Sequence, residues 1–146
     1  MSQNQPVRQN KFNNANVAGA NGRALISTTR KHHGIIGKKA GRYINGSLPV
    51  LPFNDDEFEL ALCSHYLFLY SEHVTLNQHI LSLKELCRVS KEVRIYPLLS
   101  IEDNEQSKHL NPVMTSLLSS GISTSLVSVE YEFQKGAKEM LVAKRV

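Results

Sequence analysis

The chain has 146 residues, of which 41% are hydrophobic and 21% are charged, and its formal net charge is +4. This length accommodates one domain with a modest core, and the hydrophobic content excludes a chain that is disordered throughout. No apolar run approaches the 18 residues of a membrane span, and the first twenty residues are too polar for a secretory signal, so the sequence predicts a cytoplasmic protein.

Basic residues are concentrated at the start of the chain. Residues 1–54 contain eight Lys or Arg and no Asp or Glu, whereas residues 55–146 carry nine basic and thirteen acidic side chains. The formal charge therefore changes from +8 to −4, which predicts a boundary near Arg42. Residues 1–41 form an Asn- and Gln-rich basic arm without a sustained hydrophobic period, and we expect this arm to be disordered. Its cations suit nucleic-acid phosphates, although Phe12 is its one aromatic residue for base stacking.

The segment 51–65 combines a proline-restrained approach, an acidic turn and a short buried strand. Residues 54–56 (Asn-Asp-Asp) favour a turn because their side chains hydrogen-bond the local backbone. Phe58–Cys63 (FELALC) is a nearly continuous apolar run, which is typical of a parallel strand covered on both faces. Ser64 and His65 follow at the carboxyl end of this strand, where open α/β sheets bind their ligands.

Three aromatic residues follow His65 directly, in the sequence YLFLY over residues 66–70. Such a cluster is more often part of a core than of a site. His65 is a candidate base or substrate contact because the pKa of an ordinary imidazole lies near neutrality. Cys63 and Cys87 lack the spacing of metal or redox sites, so we expect two reduced thiols in the core and no metal centre.

The rest of the chain predicts further helices and strands. Apolar residues recur with helical spacing over Leu76–Val89, and Thr75 is a suitable N-cap. The later elements are, in chain order, a strand over 92–98 stopped by Pro97, a polar loop over 100–109, a helix from Asn111 to Gly121, and a hairpin of strands 125–133 and 138–144.

This order of elements resembles the middle and carboxyl-terminal parts of class I S-adenosylmethionine-dependent methyltransferases. In that family an LPF-type segment precedes the fourth strand, and Phe58–His65 (FELALCSH) stands in that strand's place. Leu76–Val89 resembles the helix that follows, Lys91–Leu98 resembles the next strand, and the final hairpin resembles the family's antiparallel edge hairpin. The resemblance covers residues 42–146 and rests on the order and spacing of several elements.

The resemblance implies an α/β fold with a partial Rossmann-like sheet of about five strands, mostly parallel and ending in an antiparallel hairpin. It also implies a truncated domain over residues 42–146, because residues 1–54 contain neither the family's GxGxG cofactor loop nor an acidic residue for the ribose. S-adenosylmethionine is the implied cofactor, with Ser47, Leu48 and Ser64 as binding residues and His65 as the catalytic residue. Ser47 stands where the family usually has an Asp for the adenine amino group.

The predicted function is therefore that of a methyltransferase-family protein, incomplete or with reduced activity, acting on a small-molecule or unknown methyl acceptor. The alternative is a non-catalytic binding module or remnant whose basic arm binds nucleic acid or a protein partner. Loss of the family's first strand would expose one edge of Phe58–Cys63. We therefore expect residues 25–28 or 34–37 to fold back as a strand, or a homodimer to form through that edge.

Overall fold

The computed structural model describes residues 14–18, 24–28 and 45–146, with side chains from Gly46 onward. Its fold is α/β, as predicted. The strands and helices of these residues are β1 (Asn14–Ala18), β2 (Ala24–Thr28), β3 (Asn45–Ser47), β4 (Phe58–Ser64), α1 (Leu76–Val89), β5 (Ser90–Tyr96), α2 (Leu110–Ser119), β6 (Ile122–Ser128) and β7 (Glu139–Arg145). A short 3-10 helix, Leu67–Tyr70, lies between β4 and α1.

The strands form one sheet in the order β3-β1-β2-β4-β5-β7-β6. Strand β4 is parallel to both β2 and β5, while all other neighbouring pairs are antiparallel. The expectation of a mostly parallel sheet of about five strands is therefore wrong, and the sheet is mixed. The physical reason lies in the connections between strands. A hairpin joins β6 to β7, and a hairpin makes an antiparallel pair, whereas β4 and β5 are joined by the longer crossover through α1 that a parallel pair requires.

Helix α1 has the predicted bounds because its start is defined by its own sequence. Thr75 and Gln78 form a capping box, in which the Thr75 hydroxyl accepts from the Gln78 N–H at 3.1 Å and the Gln78 side chain accepts from the Thr75 N–H at 3.1 Å. Leu83, Leu86 and Val89 are fully buried on the face of α1 that packs against the sheet. The helix thereby packs against β5 and, more lightly, β7.

The segment before β4 is tied to α1 by ionic hydrogen bonds. Glu85 accepts from the Leu51 N–H at 2.6 Å and from Arg88 at 2.8 Å, and Arg88 also donates to Asp55 at 2.7 Å. The hydrogen bonds from Arg88 hold the pKa of Glu85 below its usual range. These contacts fix the predicted acidic turn and therefore the point at which β4 enters the sheet.

The core lies between one face of the sheet and the two helices. In β4 the residues Ala61 and Cys63 are buried whereas Leu60 and Leu62 are only partly buried, so the prediction of a strand covered equally on both faces is wrong. The buried strand residues pack together with the inward residues of α2. They comprise Ala61 and Cys63 of β4, Val93 and Ile95 of β5, Leu141 and Ala143 of β7, and Leu110, Val113 and Leu117 of α2. Cys63 and Cys87 are both buried as thiols in the core, as predicted.

The edge of β4 that was predicted to be exposed is covered. Strand β2 pairs with it in parallel over residues 60–64, so one of the two predicted fold-back segments, residues 25–28, supplies the missing neighbour. At 14–18 and 24–28 the structure differs from the predicted disorder of the arm, because pairing gives these backbone groups hydrogen-bond partners. The rest of the arm, including residues 34–37, and the boundary at Arg42 lie outside the described residues.

The carboxyl-terminal hairpin is shifted from its prediction. Strand β6 occupies residues 122–128 rather than 125–133, because residues 129–138 form a loop that is hydrogen-bonded to the end of β5. The segment 66–70 packs mostly in the core, with Tyr66, Phe68 and Leu69 all buried. Across the described part of the chain, no helix is both long and apolar enough to cross a membrane.

Candidate functional site at the carboxyl end of strand β4

His65 directly follows β4 and has an unusual backbone conformation. Its φ is +58°, in the left-handed region that residues with a side chain seldom adopt. Its N–H donates to the carbonyl of Tyr96 at 3.0 Å, so pairing with β5 continues to this residue before the chain turns away. Backbone strain of this kind costs about 1–3 kcal/mol and concentrates at functional sites, which makes His65 a candidate on structural as well as sequence grounds.

The imidazole of His65 is held by two neighbours. Nδ1 lies 3.0 Å from the Ser64 hydroxyl, and the ring meets Phe133 nearly perpendicularly, with 4.4 Å between the ring centroids. When Nδ1 carries the proton and donates to Ser64, Nε2 becomes the basic atom of the ring. The structure therefore brings the predicted residues Ser64 and His65 together as a hydroxyl–imidazole pair with an aromatic wall.

Tyr96 organises the loop that carries this wall. Its hydroxyl lies at the end of β5, 2.7 Å from the carbonyl of Ala137 and 3.0 Å from that of Tyr131, and it accepts from the Phe133 N–H at 2.8 Å. These contacts place Phe133 against His65. Sequence reasoning missed Tyr96, although it precedes a strand-ending proline and stands in register with Ser64 of the parallel neighbour.

Ser47 lies at the same edge of the sheet as Ser64 but three strands away. The strand register places Gly46, Ala15, Ser27 and Cys63 side by side across β3, β1, β2 and β4. Ser47 and Ser64, which follow Gly46 and Cys63, therefore both lie at the carboxyl ends of their strands. Three strand spacings correspond to about 14 Å. A ligand that contacts both serines must therefore be elongated.

The other predicted binding residue, Leu48, has its side chain in the core rather than at this edge. It is 3% exposed and belongs to the same buried cluster as Leu51 and Phe53, whereas Ser47 is exposed. The structure thus places Ser47, Ser64 and His65 at the carboxyl edge of the sheet and directs the side chain of Leu48 away from it.

A second polar cluster lies inside the protein, around His79 of α1. This side chain is fully buried, donates its Nδ1–H to the Thr75 carbonyl at 2.8 Å, and packs between Phe68 and His109. Burial lowers the pKa of His79 to about 4, an effect that the Thr75 carbonyl opposes and the charge of His109 reinforces. His79 is therefore neutral at pH 7, and its Nε2 has no hydrogen-bond partner of standard geometry.

The cluster is completed by Ser71, Ser107 and His109. The hydroxyls of Ser71 and Ser107 lie 2.5 Å apart, and His109 Nε2 lies 3.0 Å from the Ser71 carbonyl. Sequence reasoning did not find this cluster, because its members are separated by up to 38 residues and His79 occupies an inward helical position in an otherwise apolar pattern. Since Ser71, His79 and Ser107 are buried, we assign the cluster a structural role.

The described residues contain no metal-binding cluster, and the cavity near the end of β5 is small. No group of three or more His, Cys, Asp or Glu side chains is arranged to hold a metal ion among them. A cavity of about 30 Å³ lies between Leu98, Gln106 and Ala137. That volume holds one or two water molecules and is too small for a cofactor.

Comparison with known proteins gives one relative and no family assignment. The chain is 33% identical over 104 residues to an uncharacterized protein of Methanocaldococcus jannaschii. The match covers 71% of this chain and 44% of that protein, so the chain spans less than half of the relative's length. No protein-family model matches the chain, and no solved structure matches it significantly.

Proposed function

We propose that the chain is a class I S-adenosylmethionine-dependent methyltransferase domain of partial Rossmann-like fold, incomplete and of reduced activity. The observation that carries this proposal is the arrangement from β4 onward. A parallel β4–α1–β5 unit has Ser64 and His65 at its carboxyl edge, and β7 lies antiparallel between β5 and β6. A parallel unit followed by an antiparallel edge hairpin is the arrangement that the sequence resemblance implies. The buried thiols of Cys63 and Cys87, which form no disulfide, fit a cytoplasmic location, which we include in the proposal.

The chemistry of the site rests on His65. S-adenosylmethionine, when bound, supplies an electrophilic methyl group. His65 accepts the proton that the methyl acceptor loses, because its ring is oriented by Ser64 and by Phe133. Tyr96 acts through the loop: it positions Phe133 and thereby restricts the imidazole to one orientation.

The cofactor fits the described residues only in part. Ser64 and Ser47 offer neutral hydroxyls at the sheet edge, whereas a charged acceptor makes hydrogen bonds about twice as strong. Leu48 contributes its side chain to the core, and residues 1–54 contain no carboxylate for the ribose. We therefore expect a dissociation constant for S-adenosylmethionine weaker than about 10 μM, which corresponds to about −7 kcal/mol.

Titration with S-adenosylmethionine tests the proposal. Calorimetry should give a dissociation constant weaker than about 10 μM, and amide resonances of Ser64, His65 and Phe133 should shift in NMR spectra up to millimolar ligand. His65→Ala should abolish methyl transfer, while the matched variant His73→Ala, at an exposed residue, should retain it.

Three outcomes would contradict the proposal in distinguishable ways. The absence of shifts at millimolar ligand would refute cofactor binding at this edge. Tight binding, below about 10 μM, would refute reduced activity and would require a substitute for the missing loop. Full methyl transfer by a folded His65→Ala variant would show that His65 has only a structural role.

The alternative function, a non-catalytic module that binds nucleic acid or a protein partner, rests on the +8 charge of residues 1–54. Phosphate contacts of this kind are released by salt. Fluorescence anisotropy with a single-stranded RNA should then show binding that weakens steeply with salt and is lost when the seven Lys and Arg of residues 1–41 are replaced by Gln, a change that keeps strands β1 and β2 in the chain. Binding that survives these replacements would exclude the arm as the interface.

A further inference from the structure

A long uncharged stretch forms one end of the molecule. From Leu110 to Val129 the sequence contains no Asp, Glu, Lys or Arg, although 21% of the chain is charged. This stretch comprises α2 and β6, which pack together at the end of the sheet. Depletion of charge is typical of the centres of protein interfaces rather than of solvated surfaces.

Exposed apolar side chains are concentrated at the same end. Leu126 and Val127 of β6 are 39% and 40% exposed although they point to opposite faces of the strand, so neither face of this part of β6 is covered. Leu118, at the end of α2, is another large exposed apolar residue of this uncharged stretch. Exposed apolar side chains on two elements that pack together, α2 and β6, are of a kind that marks interaction surfaces.

Among the residues that the structure describes, β6 is also an edge strand, with β7 as its one neighbour in the sheet. The N–H of Val129 donates to Lys138 and the N–H of Val146 donates to Gly121, so odd-numbered residues of β6 direct their backbone groups to β7. Because hydrogen-bonding pairs alternate in an antiparallel ladder, the even-numbered residues direct theirs outward. These are Ile122, Thr124, Leu126 and Ser128. The strand has none of the Lys, Pro or bulge that protect most edges.

We propose that β6 pairs antiparallel with β6 of a second copy of this chain, about a twofold axis at Ser125. In this register Ile122 lies opposite Ser128 and Thr124 lies opposite Leu126, so every outward backbone group meets one from the other copy. Each Ser125 faces its own counterpart. The strand is thus complementary to itself, and the uncharged surface avoids the repulsion that two chains of net charge +4 meet elsewhere.

A second copy of the chain carries an edge of the same seven residues and the same lack of charge, so the ladder closes over the full length of β6 without bringing a charge into it. The result is one sheet that continues through both copies. This interface differs from the one predicted at β4, which β2 occupies. It is also independent of the proposed enzymatic function, since His65 and Ser64 lie on β4 and its following residue rather than on the edge strand.

Sedimentation of the full chain tests the interface. The wild type should have twice the chain mass of 16.4 kDa. Ser125→Lys and Ser125→Glu, at an exposed position, should each weaken dimerisation at least about 100-fold, because like charges face each other at the axis. An equimolar mixture of the two variants should recover the dimer. Val50→Lys, at a residue that is 76% exposed and follows β3 at the other end of the sheet, is the matched control and should remain dimeric.

The proposal is overturned if the wild type is monomeric at about 100 μM, far above the dissociation constant of a stable dimer. It is overturned equally if Ser125→Lys stays dimeric, if the mixture does not recover the dimer, or if the assembly is larger than a dimer. Far-UV circular dichroism and a thermal transition like that of the wild type establish that each variant is folded, so a change in mass reports on the interface alone.

Discussion

Acidification should destabilise this protein through a single buried histidine, His79. Its pKa is about 4 in the folded protein, because burial disfavours the charged ring, and about 6.5 in the unfolded chain. Between these values the unfolded chain binds a proton that the folded protein does not. The free energy of unfolding is therefore unaffected above about pH 6.5 and decreases as the pH falls from about 6.5 to about 4.

The size of the effect follows from the difference between the two pKa values. A difference of about 2.5 units corresponds to about 3 kcal/mol when the transition is complete, and most of this is lost by about pH 4.5. This loss is a large share of the free energy of unfolding of a typical domain, which is about 5–15 kcal/mol. Glu85 and Glu92 add to the loss only at the acid end of this range, because their pKa values are held below the usual one, so that below about pH 5 the unfolded chain takes up protons that the folded protein does not.

Urea unfolding at intervals from pH 7 to pH 4.5 measures this loss. His79→Gln replaces the imidazole with a side chain that does not titrate, and the Thr75 carbonyl keeps the helical hydrogen bond from the His79 N–H position. This variant should lose most of the pH dependence. His73→Gln, the same change at an exposed residue, is the control and should retain it. Equal pH dependence in the wild type and in His79→Gln would refute the assignment.

Two further predictions concern contacts that position the site. Arg88→Ala should lower the free energy of unfolding by about 2 kcal/mol, because Glu85, whose side chain is only 12% exposed, loses its cationic partner. The control Arg94→Ala removes a more exposed ion pair with Glu92 and should lower the free energy of unfolding in urea by less than about 1 kcal/mol. Equal losses in the two variants would contradict the role given to Glu85. Tyr96→Phe should accelerate hydrogen exchange of the Phe133 amide without changing that of Leu141 within β7, and unchanged exchange at Phe133 would mean that the Tyr96 hydroxyl does not hold the loop.

The sequence by itself determined the elements whose signals lie in consecutive residues. The apolar run of β4 and the helical spacing and cap of α1 each appear within about fifteen residues, and the structure has them at or within one residue of their predicted bounds. Such elements are specified by local periodicity and capping, which need no knowledge of distant residues. The position of Ser64 and His65 at the end of β4 followed directly from this.

Only the tertiary structure decided which residues surround His65 and which strand covers β4. Tyr96 contacts the loop at Tyr131 across 35 positions of sequence, and the register of Ser64 with Tyr96 depends on how α1 returns the chain to the sheet. The pairing of β2 with β4 and the early end of β6 likewise depend on hydrogen-bond partners elsewhere in the sheet. These distant partners set strand pairing and register, because a backbone N–H or C=O at the edge of a strand can hydrogen-bond with any strand that lies beside it. No local sequence pattern specifies which strand that is.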